Sequence, residues 1–265
     1  MKFTEIKSCY IGPNIPPEQF ISEHFFLFIA KGKLNGYDGN LHSTLKAGES
    51  CIVQKNSLVR YNKEKEDNQF EKIVIIFDKY FLMNFQKKNS NIIQKFHCTN
   101  SFIKLEETFL ISNFIVSLHP YFTSSGKISD VFSDLKREEL LLIILQIHPE
   151  LSGLFFNFEN PDKINIEEFM LRNYKFNVSL ERFAFLTGRS LSTFKRNFKE
   201  SFNETPSRWL TKKRLEESRF LIEEKNMKPA DFFMDLGFED LSHFYFAFKN
   251  HFGISPGKLK NQKKS

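Results

Sequence analysis

Cysteine is scarce in this chain. Cys9, Cys51 and Cys98 are scattered, with no CxxC pair, so neither a disulfide framework nor a cysteine zinc site is expected and a reducing, cytoplasmic setting fits. No His-x-His pair occurs among the seven histidines, which removes the usual rigid start of a strand-borne metal site. His24 stands alone before apolar residues, and His97, His119 and His148 have no carboxylate at ligand spacing. No Gly-x-Ser-x-Gly, phosphate-binding loop or dinucleotide fingerprint is present. The paired carboxylates Glu106 and Glu107 read as a solvated face. No catalytic residue, metal site or cofactor is therefore expected. The N-terminal stretch holds no apolar signal-peptide core. The longest apolar run, "LLLIILQI" at 140–147, is too short to cross a bilayer, so no membrane association is expected.

What the chain has in abundance is phenylalanine, 33 residues in 265, which takes the core role that Leu has elsewhere. The length suits two domains of ordinary size. Charge divides them. From residue 163 on, 20 Lys and Arg face 13 Asp and Glu, a net +7, whereas residues 1–162 hold 18 against 19, a net −1. A near-neutral half joined to a basic half points to a polyanion as partner of the second half.

Residues 24–78 read as short strands. "HFFLFIAKG" ends at Gly32, "YDGN" (37–40) is a hairpin signal, and "LHSTL", "CIVQ", "SLVRY" and "EKIVIIF" follow at close spacing, as in a small sandwich or barrel. From about 79 to 150 the pattern turns helical. Phe109, Leu110, Phe114 and Leu118 fall on neighbouring turns, and 129–147 opens on an N-cap candidate, Ser129. The nearly all-apolar turn at 140–147 suits burial on more than one side, against the sandwich and against a second subunit. Residues 150–163 read as a connection, and everything beyond reads as helices.

Two stretches of that second half repeat. "STFKRNFKESFNETP" (192–206) and "SHFYFAFKNHFGISP" (242–256) share Ser192/Ser242, Phe194/Phe244, Phe198/Phe248, Lys199/Lys249, Phe202/Phe252 and Pro206/Pro256. Upstream of each lies a helix–Gly–helix pattern, turning at Gly188 and Gly237, with Ser190 at the N-cap position of the first copy. Such a helix–turn–helix is the layout of a DNA-reading unit. In the first copy Leu191, Phe194, Phe198 and Phe202 form the buried stripe, while Ser192, Lys195, Arg196 and Lys199 fall on the other side, where Arg and Lys suit guanine edges or phosphates. The intervening segment 206–224 opens with Pro206 and predicts a helix about 27 Å long, a plausible rigid spacer for recognition helices reading major-groove turns about 34 Å apart.

The region from about 165 to 262 resembles the DNA-binding domain of the AraC/XylS family of bacterial transcription regulators. Phe248, Lys249, Phe252, Gly253, Ser255 and Pro256 match its C-terminal hallmark; Gly237, Phe238, Asp240, Ser242, His243 and Phe244 match a second motif, and Arg214-Leu215 the linker-helix pattern. The resemblance implies base contacts from Ser192, Lys195 and Arg196 in one helix and from Leu241, Ser242, Tyr245 and Phe246 in the other. It places Lys199, Lys249 and the helix starts, Ser190 among them, near the DNA backbone. Three departures stand out: Asn203 replaces the capping Gly, Phe233 a small residue, and Phe246 an Arg. An apolar residue at 246 cannot hydrogen-bond guanine, so the first unit is expected to carry most of the polar readout. More loosely, 20–78 is similar to the cupin-like sensing domains that precede many such DNA-binding domains.

The expected fold is α+β: a cupin-like sandwich or barrel with a helical dimerisation segment (1–155), then an all-α domain of two helix-turn-helix units joined by a linker helix (163–262). The expected function is a transcription regulator, as a rule an activator in this family, binding double-stranded DNA and working with RNA polymerase. It would act as a homodimer under a small molecule or a regulatory protein; the segment 179–196 is similar to the subgroup of the family that governs type III secretion and is controlled by a protein. The alternative is a cupin-type metal enzyme with an accessory helical domain, against which the missing ligands speak.

Overall fold

The computed structural model describes residues 6–11, 20–89, 94, 96, 98, 100–122, 128, 130–159, 161 and 163–262. The chain divides into two compact units, Met1–Glu159 and Asn160–Ser265.

Among the described residues the first unit has ten strands: β1 (Ile6–Ile11), β2 (Phe20–Ile21), β3 (His24–Lys31), β4 (Lys33–Tyr37), β5 (His42–Lys46), β6 (Ser50–Val53), β7 (Ser57–Leu58), β8 (Arg60–Glu64), β9 (Phe70–Phe77) and β10 (Phe102–Lys104). They form a five-stranded sheet in the order β1-β9-β3-β6-β10, a three-stranded sheet β5-β4-β8 and the pair β2-β7. Side chains alternate between two buried faces of the large sheet, which is why its strands read as unbroken apolar runs. Leu27 and Ile29 of β3, Cys51 and Val53 of β6, and Val74 and Ile76 of β9 pack with Leu34 and Leu45 of the smaller sheet and with Phe70 and Phe102. Phe26, Ile52, Ile73, Ile75 and Phe77 point the other way, into a core shared with the helices.

Those helices are α1 (Lys79–Lys88), α2 (Phe109–Leu118), α3 (Asp130–Ile147) and the single turn α4 (Ser152–Phe155). Asp78 caps α1 by accepting from the Phe81 amide at 3.0 Å. Its second oxygen pairs with Arg137 of α3, which also donates to the Ile76 carbonyl at 2.7 Å and lies over the Phe81 ring at 4.0 Å. This buried cation fixes α3 across the junction of β9 and α1.

Several expectations change here. The hairpin at Asp38-Gly39 forms, but with four loop residues, because Tyr37 pairs with His42. Asp38 spans the loop, accepting from the Asn40, Leu41 and Ser101 amides. The stretch after 79 is not wholly helical: β10 pairs antiparallel with β6. Phe109 and Leu110 are exposed, since they open the first turn after the Thr108 cap; Ile111, Phe114, Ile115 and Leu118 form the buried stripe. In the apolar run, Leu140, Leu141 and Ile144 are buried while Leu142 is 49% exposed, so one side of α3 is covered within this unit. Ser129 and His97 lie outside the described residues. His24 is buried, its Nδ1 accepting from the Lys55 amide at 3.2 Å. His148 does have a carboxylate neighbour, Glu150 at 3.2 Å, two residues along the chain.

The second unit is helical: α5 (Ile166–Asn173), α6 (Leu180–Leu186), α7 (Leu191–Phe202), α8 (Pro206–Glu223), a 3₁₀ turn at Pro229–Asp231, α9 (Leu241–Phe252) and α10 (Pro256–Gln262). Among the described residues no helix is long and apolar enough to cross a membrane.

Candidate nucleic-acid interface

The two repeats become the same local structure. Helices α7 and α9 are 12 residues each and begin on a side-chain cap: Ser190 accepts from the Thr193 amide and Asp240 from the His243 amide. Each ends on a left-handed residue, Asn203 (φ 54°) and Gly253 (φ 74°). Asn tolerates this conformation because its short polar side chain offsets the steric cost locally. Each helix buries the first two Phe of its stripe completely, Phe194 and Phe198 in one, Phe244 and Phe248 in the other. The repeat runs three residues further than the shared letters show. Trp209 and Leu259, fifty residues apart, are both buried, and Trp209 packs on Phe198 and Phe202 with ring centroids 5.6 and 4.6 Å away.

The turns before these helices are also alike, with one difference. At Gly188 (φ 67°) the Arg189 amide donates back to the Ala184 carbonyl at 2.9 Å; at Gly237 (φ 82°) the Phe238 amide donates to the Phe233 carbonyl at 3.1 Å. Both are six-to-one bonds closing a helical turn. The second turn is one residue longer, since two residues separate Gly237 from the cap Asp240 and one separates Gly188 from Ser190. The element before it departs from expectation. Where α6 is a regular helix, the second copy has the 3₁₀ turn at Pro229–Asp231 followed by turns through Gly237. Asp231 and Phe232 bond three residues back, whereas Phe233 bonds four back to Pro229 and Leu236 bonds to both Phe232 and Phe233; the Gly237 bond to Met234 has its counterpart in that of Gly188 to Phe185. Where α6 seats Phe183 and the small Ala184, this segment seats Phe232, buried, and Phe233, half-buried.

The lock between the two copies is Arg214 of α8. Its guanidinium donates to the carbonyls of Tyr174 (2.8 Å), Phe176 (2.8 Å) and Gly237 (2.9 Å). A Cβ on Gly237 would meet the Arg214 side chain and the Lys175 carbonyl at 2.8 Å. The fork therefore ties the loop after α5 to the turn that launches α9. Arg189 does a similar service in the first copy, donating to the carbonyls of Ile164 and Thr187 and to Asn197. In the sequence Arg214 stands out only as a motif letter, and Arg189 and Trp209 do not stand out at all. A cation just after a turn glycine, and a lone Trp fifty residues before a Leu in a repeat, were the available signals.

The expected site residues fall on one face of each helix. Ser192, Lys195, Arg196 and Lys199 are exposed on α7, with the cap residue Ser190 at its start; Ser242, Tyr245, Phe246 and Lys249 are exposed on α9, with Leu241 half-buried at its first position. At three- and four-residue steps these share the side opposite the Phe stripe. The face of α7 carries three cations and that of α9 one. Such a pair of faces can lie in a major groove, with cations meeting phosphates and guanine edges. Among the described residues no three His, Cys, Asp or Glu side chains group closely enough to hold a metal ion.

Known proteins show the same division. Residues 24–154 match the family described as the ExsA N-terminal regulatory domain, and 183–262 match a helix-turn-helix domain family. The HTH-type transcriptional regulator ExsA of Pseudomonas aeruginosa is 23% identical over 267 residues, covering 98% of this chain and 94% of that protein. The virulence regulon transcriptional activator VirF of Yersinia enterocolitica is 29% identical over 133 residues, 49% of each chain. The chain thus matches the Yersinia relatives over about half their length. Among solved structures, ToxT from Vibrio cholerae is 14% identical, covering 92% of this chain and 91% of that one, with a TM-score of 0.40.

Proposed function

We propose, on the premise that the chain belongs to the AraC/XylS family of transcription regulators, that it activates transcription by reading an asymmetric DNA site through α7 and α9. The chain is a regulator and not an enzyme. The observation that carries the reading is the pair of matching helices whose scaffold side chains agree and whose exposed faces differ. Each lays its exposed face in a major groove, and α8, about 27 Å long at 1.5 Å per residue, spaces them for successive turns of one duplex. Lys195 and Arg196 contact base edges. Lys199, Lys249 and the N-terminal turns of both helices contact phosphates. RNA polymerase is the partner of the bound protein, in the cytoplasm.

The first unit supplies control and pairing. Its interior between the sheets is filled by Phe70, Phe102 and the aliphatic side chains around them, and the Gly36 position has no room for even a Cβ against the Phe102 ring. This filled interior supports control by a regulatory protein over control by a small molecule. Phe109, Val116, Leu135 and Leu142 face outward on α2 and α3 and support pairing of two copies through these helices.

A mobility-shift titration on sites selected from random double-stranded DNA tests the reading. Affinity should fall linearly in log–log form with salt, by about 0.9 per phosphate contacted. Arg196→Ala should relax preference at one or two base pairs at a cost of about 1–3 kcal/mol; uniform weakening on all sequences would make Arg196 a phosphate contact. Binding should need no dialysable effector, and sedimentation should show a dimer at micromolar concentration. A required small molecule, or a monomer, would contradict the corresponding part.

A further inference from the structure

Two large aromatic side chains stand in solvent on α9. Phe246 is 67% exposed and Tyr245 38%, although the same helix buries Phe244 and Phe248 completely. The stability of the helix does not require them there: α7, capped at the same two positions and with the same Phe stripe, holds Arg196 and Lys195 at the corresponding positions, fifty residues earlier. Single exposed apolar side chains are ordinary, and Phe109 is more exposed still; what asks for a covering partner at Phe246 is that it stands beside Tyr245, one turn beyond the half-buried Leu241.

The face it shares narrows the answer. Ser242, Tyr245, Phe246 and Lys249 lie together, with Leu241 at the margin. A phenyl ring neither donates nor accepts a hydrogen bond, so Phe246 cannot select guanine, adenine or cytosine by their edge patterns. Hydroxyls such as those of Ser242 and Tyr245 serve as donor or acceptor and discriminate little. Lys249 is a further turn along, beyond the base-reading turns. The apolar group that the major groove offers is the thymine 5-methyl, and an apolar side chain in contact with it is a recognised mode of readout.

We propose, resting on the reading of α7 and α9 as the two major-groove helices, that Phe246 with Tyr245 and Leu241 reads thymine 5-methyl groups. The half-site under α9 is then selected for thymine through apolar contact, and the half under α7 for guanine through Lys195 and Arg196. The two halves of one site are read by different chemistry.

The test uses the full chain on its highest-affinity site selected from random double-stranded DNA. Each thymine is replaced singly by deoxyuridine, which removes only the methyl, and each guanine by 7-deazaguanine, which removes the N7 acceptor. In one half-site, one or two deoxyuridines should each weaken binding about 3- to 5-fold, the factor expected for one buried methyl; 7-deazaguanine should act in the other half. Phe246→Ala should weaken binding to the unmodified selected site by at least as much and should abolish the deoxyuridine penalty, while Phe246→Leu keeps it. The unfolding midpoint of Phe246→Ala checks that the fold is intact. Deoxyuridine substitutions without effect on the wild-type chain, or with the same penalty in Phe246→Ala, would overturn the proposal. A chain that binds all DNA with equal strength overturns the two-helix reading itself, and the proposal with it.

Discussion

Replacing Arg214 by Ala removes three donors at once from two separated segments, the Tyr174–Phe176 loop and the Gly237 turn. A hydrogen bond to a charged group contributes about 1.5–3 kcal/mol net, so a simple sum gives roughly 5–9 kcal/mol. Arg214 is half-buried, and water reaching the vacated carbonyls lowers the expected loss to about 3–4 kcal/mol. At about 1.5 kcal/mol per molar urea for a unit of this size, the midpoint should fall by about 2–3 M. The chain's single Trp makes the assay direct: Trp209 lies in this unit against Phe198, Phe202 and Tyr174, and its fluorescence follows unfolding there. Arg214→Lys keeps the charge but not the planar fork, and should still lose about 2 kcal/mol. Two results would refute the reasoning: a lysine variant as stable as wild type, or an alanine variant within about 0.5 kcal/mol of it.

Other perturbations separate scaffold from reading face. Phe198→Ala and Phe248→Ala, each at a fully buried position, should cost about 3–5 kcal/mol in the same urea titration, whereas Phe246→Ala should stay within about 0.5 kcal/mol of wild type. Gly237→Ala should be far more damaging than Gly253→Ala: both have positive φ, but a Cβ at 237 meets Arg214 and Lys175 at 2.8 Å while the space at 253 is open, so thermal melts should rank them in that order. His24 is held down to about 3 from 6.5, chiefly by burial and then by Lys55, the nearby Leu154 carbonyl pulling weakly the other way. The fold holds it neutral while the unfolded chain takes up a proton below about 6.5. Its contribution is therefore complete above that pH and is lost as pH falls toward 3, at about 1.4 kcal/mol per pH unit. His24→Gln should flatten the pH dependence of the first unit's stability between pH 6 and 4 by about one proton; equal slopes in circular-dichroism titrations would show that His24 protonates freely.

Much of this was legible in the residues because local signals agreed. The strands between His24 and Phe77 have turn residues at their ends, and α7 announces itself through Ser190, its Phe stripe and Asn203. What was missed depends on tertiary partners. β10 is three residues long and exists because β6 offers an edge. Phe109 and Leu110 satisfy a helical period, but the cap at Thr108 sets the first turn outward. The turn before α9 reads as a helix by analogy with α6, yet it opens as a 3₁₀ turn and does not become a regular helix. In the candidate site, the exposed residues of both helices were readable from the repeat. The fork of Arg214 was not, because its three acceptors are main-chain carbonyls, which leave no trace in the side-chain pattern.

The central claim is that one chain reads DNA through two helices. Hydroxyl-radical footprinting of the full chain on its selected site tests this directly. Two helices reading one site should give two protected windows per chain on one face of the duplex, about one helical turn apart. Arg196→Ala should weaken one of them and Phe246→Ala the other. A single window, or two windows that respond alike to both substitutions, would contradict it.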